Sequence, residues 1–415
     1  MNMEYWFYII IALIIFFIIE LIFRSIVFSV NKKFQWLITN KDEFPVLSKT
    51  GLKKFISHGF DKELGWNRKA NTSHEEIGKN NQITNWTINS KTARANTDFD
   101  QLDSKISCYG DSFTFCRQVN DNETWEHFLS KSLGTNVQNF GVGNHGIDQS
   151  LLRLKRNFLL HKTDIVILSV VPDTISRIVS VWKHYYEYGN TFGFKPRFVL
   201  KNNKLKLIQN PIDDESKFYR YHDFLDEIRN NDFFYRKKFR KEKISFPYSV
   251  TVLKNARRNL SIIYWVYKIN NLKKQNKDIS NISWNPNKII MDINLKWRLK
   301  LFKDDNITRL FKKIIEEYVL FSKINKFTPV FIFLPQKDDL LFIKTKNNYY
   351  ETFSKELSGI DGLHVIDLTN YLVKIDDLDP LFSDDNSYGG HYSKEGNKLI
   401  ADKIHEELKK MKIMG

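Results

Sequence analysis

The sequence predicts an α/β protein built on a parallel sheet, with an N-terminal transmembrane helix before it and a large insertion inside it. Three observations carry that prediction. Short apolar runs alternate with helix-periodic stretches from Ser104 onward, the triplet Gly110-Asp111-Ser112 follows the first of those runs, and Tyr5 to Phe23 is almost unbroken apolar sequence with only Glu20 inside it.

The run at 5–23 is long enough, at about 1.5 Å per residue, to cross the ~30 Å hydrocarbon core. It lacks the marks of a cleaved signal peptide: Glu4 stands where lysines belong, and no small-x-small site follows. A retained single-pass anchor is expected. Arg24, Lys32, Lys33 and Lys41 follow the span while only Glu4 and the terminal amine precede it. That bias favours a catalytic domain on the cytoplasmic face and leaves an extracytoplasmic one open. Residues 35–100 read as a lead-in, whose short mixed segments such as 83–88 are edge strands or loops capping the main sheet.

Successive βα units then begin. Strand-like 106–109, a helix through Trp125, Phe128 and Leu129, strand-like 136–140, a helix through Leu151, Leu152 and Phe158, and the run 165–168 come first. The rhythm resumes with a helix carrying Leu310, Phe311, Ile314, Ile315 and Tyr318, then the runs 330–334 and 365–368, and a final helix with Leu399, Ile400, Ile404 and Leu408. Continuous apolar runs mark strands covered on both faces, as in a parallel sheet. The α/β domain therefore spans 104–175 plus 306–412, and 176–305 is an insertion. It is aromatic (Trp182, His184, Tyr185, Tyr186) and basic (Arg236 to Lys241), and leaves the sheet at the carboxyl edge that carries Ser112, as a lid or acceptor platform would. The plainer expectation is that the aromatics form the insertion's own small core and the charges its wet face.

At 415 residues the chain can bury one sizeable core, and its 42% hydrophobic content argues for a folded protein. The formal charge of +16 comes from scattered lysines without a nucleic-acid-binding motif, so an anionic lipid or glycan is the expected partner rather than nucleic acid. There is no internal repeat, cofactor motif or metal-ligating cluster to read. Cys108 and Cys116 read as packed thiols rather than a disulfide pair.

Ser112 is expected to open a helix at the carboxyl edge of the sheet, where helix amides stabilise an anion. Far along the chain, Gly389-Gly390-His391-Tyr392-Ser393 puts a histidine in a glycine-flanked loop before the final helix. A serine near the front and a histidine near the back of one α/β unit suit nucleophilic acyl transfer. On these residues the chain resembles the SGNH/GDSL hydrolase superfamily. Gly110-Asp111-Ser112-Phe113 is similar to the nucleophile block, and His391 with Ser393 and Gly396 to the terminal histidine block. Asn139-Phe140-Gly141-Val142-Gly143-Asn144 resembles a second block, whose backbone amide joins the oxyanion hole. The resemblance covers residues 104–175 and 328–410. It implies a three-layer flavodoxin-like fold and a serine esterase or O-acyltransferase without cofactor or metal. Ser112 would be the nucleophile, His391 the base, Asp385 or Asp384 the acid, and Ser112, Gly143 and Asn144 the oxyanion donors. The implied substrate is an O-acyl group, such as acetyl, on a cell-envelope glycan or glycolipid. Substrate-binding residues and oligomeric state are not read.

The chain also departs from the family pattern. Where relatives carry Gly-x-Asn-Asp after the third strand, with the Asn side chain as oxyanion donor, this chain reads Val170-Val171-Pro172-Asp173. Asn144 can compensate with its side-chain amide, or can simply be a loop asparagine in the left-handed conformation. The family's acid sits three residues before the histidine, which is Tyr388 here, so the carboxylate falls to 384 or 385. The absent donor keeps a second function open, a catalytically weakened binding or scaffold protein of glycan assembly. Asp111 reads as a cap or turn former, Asp173 and Arg177 as a structural pair one helical turn apart, and Pro335-Gln336 as strand-end residues near the cleft.

Overall fold

Five apolar runs form one parallel sheet: β1 (Ser104–Gly110), β2 (Asn136–Gly141), β3 (Ile165–Val170), β4 (Thr328–Phe333) and β5 (His364–Asp367). Their spatial order is β5-β4-β3-β1-β2, with Cys108 paired to Asn139 on one side and Ile167 on the other. This is the flavodoxin-like order, and it places a topological switch point between β1 and β3. The computed structural model describes residues 3–77, 83–384, 386 and 388–413, with side chains from Tyr5 onward.

Helices cover both faces. Ile106, Cys108, Ile167, Val330, Ile332 and Ile366 pack into one buried cluster with Trp125 and Leu129 of α1 (Trp125–Leu133) and with Ile400, Ile404 and Leu408 of the last helix (Lys394–Lys410). The opposite face meets α2 (Ile147–Asn157) and α3 (Asp305–Asn325), where Phe311 lies edge-on to Phe331 and Tyr318 donates to the Val166 carbonyl at 2.6 Å. The expected three-layer α/β fold is therefore present. Cys108 and Cys116 are both buried free thiols, as read.

The chain divides into two units, along lines other than the predicted ones. The α/β unit takes Lys49–Val181, Phe194–Tyr219 and Asn294–Gly415; the second takes Met1–Ser48, Trp182–Gly193 and Arg220–Ile293. Much of the predicted 35–100 lead-in thus belongs with the sheet, while its start joins the insertion. Within the α/β unit, Thr72–Ile77 and Ile83–Ile88 form an antiparallel hairpin, and Phe194 packs on Phe218. The 176–305 insertion is shared between the units because segment 194–219 adds its own hairpin, Arg197–Lys201 with Lys204–Ile208, to the α/β unit.

In the second unit, Val27 and Val30 at the end of the N-terminal helix (Met3–Asn31) pack with Ile244, Val252, Ile262 and Val266. Glu20 is buried and accepts from the Tyr248 and Ser249 amides at the start of helix Tyr248–Lys254. Among the described residues one helix, Tyr5–Asn31, is long and apolar enough to cross a membrane. The insertion's aromatics largely pack on one another, Trp182 on Tyr185 and Tyr186 on Phe234, as the plainer reading expected. Lys238 of the basic run is buried against Glu242, while Arg236, Lys237 and Arg240 are exposed.

Candidate active site

Ser112 stands at the carboxyl end of β1, at the switch point, and the local chain there is not a helix. Residues 111–119 form consecutive turns, and α1 begins only at Trp125 behind its N-cap Thr124. The expectation that Ser112 opens a helix is corrected. Asp111 prevents it in part: its carboxylate accepts from the Phe113 amide at 2.9 Å, the local bond by which aspartate competes with helix. Cys116 and Gln118 then take left-handed conformations, φ 55° and 74°, which no continuing helix allows. Arg94 completes the loop. Its buried guanidinium donates to the carbonyls of Phe115, Cys116 and Val119 and pairs with Asp121 at 2.8 Å.

Asp111 is more than a turn former. It is fully buried, and its other oxygen accepts from the Val171 amide at 3.0 Å and from Arg177 at 3.1 Å, tying the ends of β1 and β3 across the switch point. Burial holds this carboxyl above its ordinary value, with Arg177 opposing. Arg177 also pairs with Asp173 at 3.4 Å, the structural pair expected from their spacing. Pro172 follows, with no amide hydrogen to offer.

The second-block loop faces the serine through Gly143. A Cβ built on Gly143 would lie 4.0 Å from Ser112 Cβ. The Gly143 carbonyl accepts from the Trp66 indole at 2.9 Å, and His145 Nε2 donates to the Trp66 carbonyl at 2.8 Å, so the 49–100 segment braces this loop. Asn144 is exposed with φ 64°, the left-handed loop conformation that was its plainer reading.

His391 reaches the same region from the far end of the chain. Its ring lies 4.8 Å from that of Phe113, the residue after the serine, and only 8% of it is exposed. The nearby Tyr392 hydroxyl donates to the Pro335 carbonyl at 2.7 Å, pinning the loop to the end of β4. Gln336 beside it is buried and accepts from Arg298 at 2.8 Å. His391 Nδ1 is 2.8 Å from Gln118 Oε1, which also accepts from the His391 backbone amide at 3.0 Å and from Ser383 Oγ at 2.9 Å. A backbone amide can only donate, so the Gln118 atom is the oxygen. Nδ1 must therefore carry hydrogen, which leaves the lone pair on Nε2. Gly390 makes room: a Cβ there would come within 2.9 Å of Gln118 Oε1 and 2.7 Å of Asp384 Oδ2.

No carboxylate touches the imidazole among the described residues. Asp384 uses its amide to donate to Gly389, and its carboxylate makes no bond to His391; Asp385 lies outside the described residues. Burial, with Arg117 and Arg177 nearby, pushes His391 down to about 3, so it is neutral near pH 7. Among the described residues no hydrogen bond joins Ser112 Oγ to His391. Such bonds are often long before substrate binds. Gln118, within the loop that carries Ser112, and Arg94 and Arg68, which pack against that loop, are all absent from the sequence-based site; Arg68 stacks over Phe115 at 4.1 Å. None had a local signal. Gln118 lies 273 residues from His391.

No protein-family model and no curated protein matches the chain. Among solved structures it is similar to a protein described as lipolytic, of the G-D-S-L family, from Desulfitobacterium hafniense DCB-2: 14% identity, 74% of this chain and 99% of that one covered, TM-score 0.34. A G-D-S-L family lipolytic protein from Veillonella parvula DSM 2008 matches at 12% identity, with 73% and 97% covered and TM-score 0.31. The psychrotrophic esterase EstA from Pseudoalteromonas sp. matches at 10% identity, with 75% and 100% covered and TM-score 0.32. At such distances the likeness assigns no residue a role.

Proposed function

We propose that this chain is a membrane-anchored serine esterase or O-acyltransferase acting on O-acyl groups of a cell-envelope glycan or glycolipid. The observation that carries the reading is Gln118 holding His391 as the Nδ1–H tautomer, with its ring against the residue that follows Ser112. In this mechanism Ser112 Oγ bonds to the ester carbonyl carbon as its proton passes to His391 Nε2, and the carbonyl π pair moves onto oxygen. The pair returns, the C–O bond to the alcohol breaks, and His391 gives the proton to the leaving oxygen. Water or an acceptor hydroxyl then repeats the sequence to release the acyl group. Asp385, where the acid was expected, remains a candidate to assist Gln118, and Asn144 can add only its backbone amide if its exposed side chain keeps away from the oxyanion.

A fluorophosphonate probe tests the nucleophile. It should label the wild type, fail on Ser112→Ala, and label His391→Ala far more slowly, because a serine without a base is a poor nucleophile at neutral pH. A folded wild type that stays unlabelled would favour the binding or scaffold reading, to which Pro172 already lends support.

The helix Tyr5–Asn31 supports the anchor. Carbonate extraction should leave the full chain in the membrane pellet, and recovery of it in the supernatant would refute the anchor. Protease protection of spheroplasts reads the face in the same preparation, with protection expected from the charge bias.

A further inference from the structure

Arg68 is a cation near the serine with no ion pair of its own, the nearest carboxylate that acts on it, Glu76, being bound by Arg117. Among the described residues its guanidinium makes no hydrogen bond and no ion pair, and its Nε is buried without a partner. It is held instead by π faces, its central carbon 4.5 Å from the Trp86 ring centre and 4.1 Å from that of Phe115. The nearby cations have their partners: Arg94 takes Asp121, and Arg117 takes both oxygens of Glu76. Burial and those two arginines lower Arg68 to about 10, so it remains charged at neutral pH. A half-buried cation without an ion pair is incompletely compensated, and a site arranged that way is poised for an anion.

The place for that anion is defined by Gly143. The point where a Cβ would stand on this residue is 3.9 Å from Arg68 Nη2 and 4.0 Å from Ser112 Cβ, and beyond residues 142–144 no other heavy atom of the described residues comes within 4 Å. Guanidinium and serine thus flank one small open space, over the loop expected to give an oxyanion amide. The side-chain donor expected after β3 is replaced by Pro172, and Asn144 points its exposed side chain from a left-handed turn.

We infer that Arg68 supplies the missing oxyanion donor, its Nη2–H stabilising the negative oxygen that forms when Ser112 attacks an ester carbonyl. This role rests on the reading of Ser112 as nucleophile. A fixed cation held over aromatic rings needs no reorganisation as charge develops, and its stabilisation is realised in the transition state rather than in the bound substrate.

The test measures fluorophosphonate labelling and p-nitrophenyl acetate turnover by the full-length protein in detergent, comparing wild type with Arg68→Ala, Arg68→Gln and Arg68→Lys. Loss of one oxyanion donor predicts labelling and kcat lower by roughly a hundred- to a thousand-fold in Arg68→Ala and Arg68→Gln, with KM little changed. Added guanidinium chloride at millimolar concentration should restore part of the Arg68→Ala rate, which a merely misfolded variant would not show. Arg68→Lys keeps the charge and the stem over the rings but not the planar fork, and should fall between. Wild-type rates in Arg68→Ala, or a raised KM with kcat intact, overturn the donor role while leaving Ser112 as the nucleophile. An unlabelled, folded wild type overturns both.

Discussion

At Gln118 a neutral amide does the orienting that a carboxylate does in a serine-histidine-aspartate triad. Its oxygen selects the imidazole tautomer as well as a carboxylate would, but brings no charge to offset an imidazolium, and burial, with Arg117 and Arg177 nearby, holds His391 at about 3. The imidazole is then already deprotonated throughout the mildly acidic range. Labelling of Ser112 should therefore be nearly flat from about pH 5 to pH 8, without the limb near 6.5 that an ordinary histidine gives. Gln118→Glu puts a negative charge beside Nδ1 and should raise the imidazole's pKa, moving an acid limb into that range. Gln118→Ala removes the acceptor and should slow labelling at every pH. The pH profile of the labelling rate reads all three, and a Gln118→Glu profile that overlays the wild type would show that Gln118 does not set the base.

The loop 111–119 is the element on which the site depends, and Arg94 is what shapes it. One guanidinium takes the carbonyls of Phe115, Cys116 and Val119, which a helix or water would otherwise have to satisfy, and it does so from the buried interior. Lysine cannot reproduce that planar fork. Arg94→Lys should lower the denaturation midpoint and also slow Ser112 labelling, by loosening the turn that aims the serine. Leaving buried acceptors unpaired costs about 1–3 kcal/mol each, which sets the scale of the lost stability. An unchanged urea midpoint would mean that water takes over the three carbonyls without penalty. The same loop marks where sequence reading stops. The strands of the sheet were legible because burial on both faces leaves unbroken apolar runs, as at Ile165–Val170, and Ser112 and His391 stand out as candidates because they adjoin such elements. The helix expected after Ser112 was misread because Cys116 and Gln118 adopt left-handed conformations that their residue types do not announce, under long-range bonds from Arg94. Gln118 and Arg68 were missed for a related reason: a glutamine and an arginine acquire meaning only from partners that the fold brings to them. The divided insertion is a third case, since nothing local says that 194–219 pairs as a hairpin of its own within the α/β unit.

Across the α/β unit as a whole, buried ionisable groups set opposing pH dependences. His145 and His391 are each pushed down to about 3 by burial, from an ordinary value of 6.5. Their contribution to stability is present above that ordinary value and is lost as pH falls toward 3, because the unfolded chain takes up protons that the folded one refuses. Glu126 works the other way. It is fully buried beside Cys116, whose thiol donates to it at 3.3 Å, and burial raises its carboxyl from 4.5 to about 8. The folded unit therefore keeps a proton on Glu126 that the unfolded chain releases above 4.5, so this contribution is full at acid pH and is lost as pH climbs toward 8. Between about pH 6.5 and 8 the two histidines are silent in both states, and Glu126 acts without their opposition. Glu126→Gln keeps the shape and the neutral form but cannot ionise. Its stability relative to wild type should rise steadily from pH 5 to pH 8, with a slope of at most about 1.4 kcal/mol per pH unit. Urea titrations of the full chain in detergent, compared at matched pH, cancel the groups that the two proteins share. Parallel midpoint curves for wild type and Glu126→Gln across that range would show that Glu126 is ionised in the folded unit, with its charge met by a partner such as Arg94.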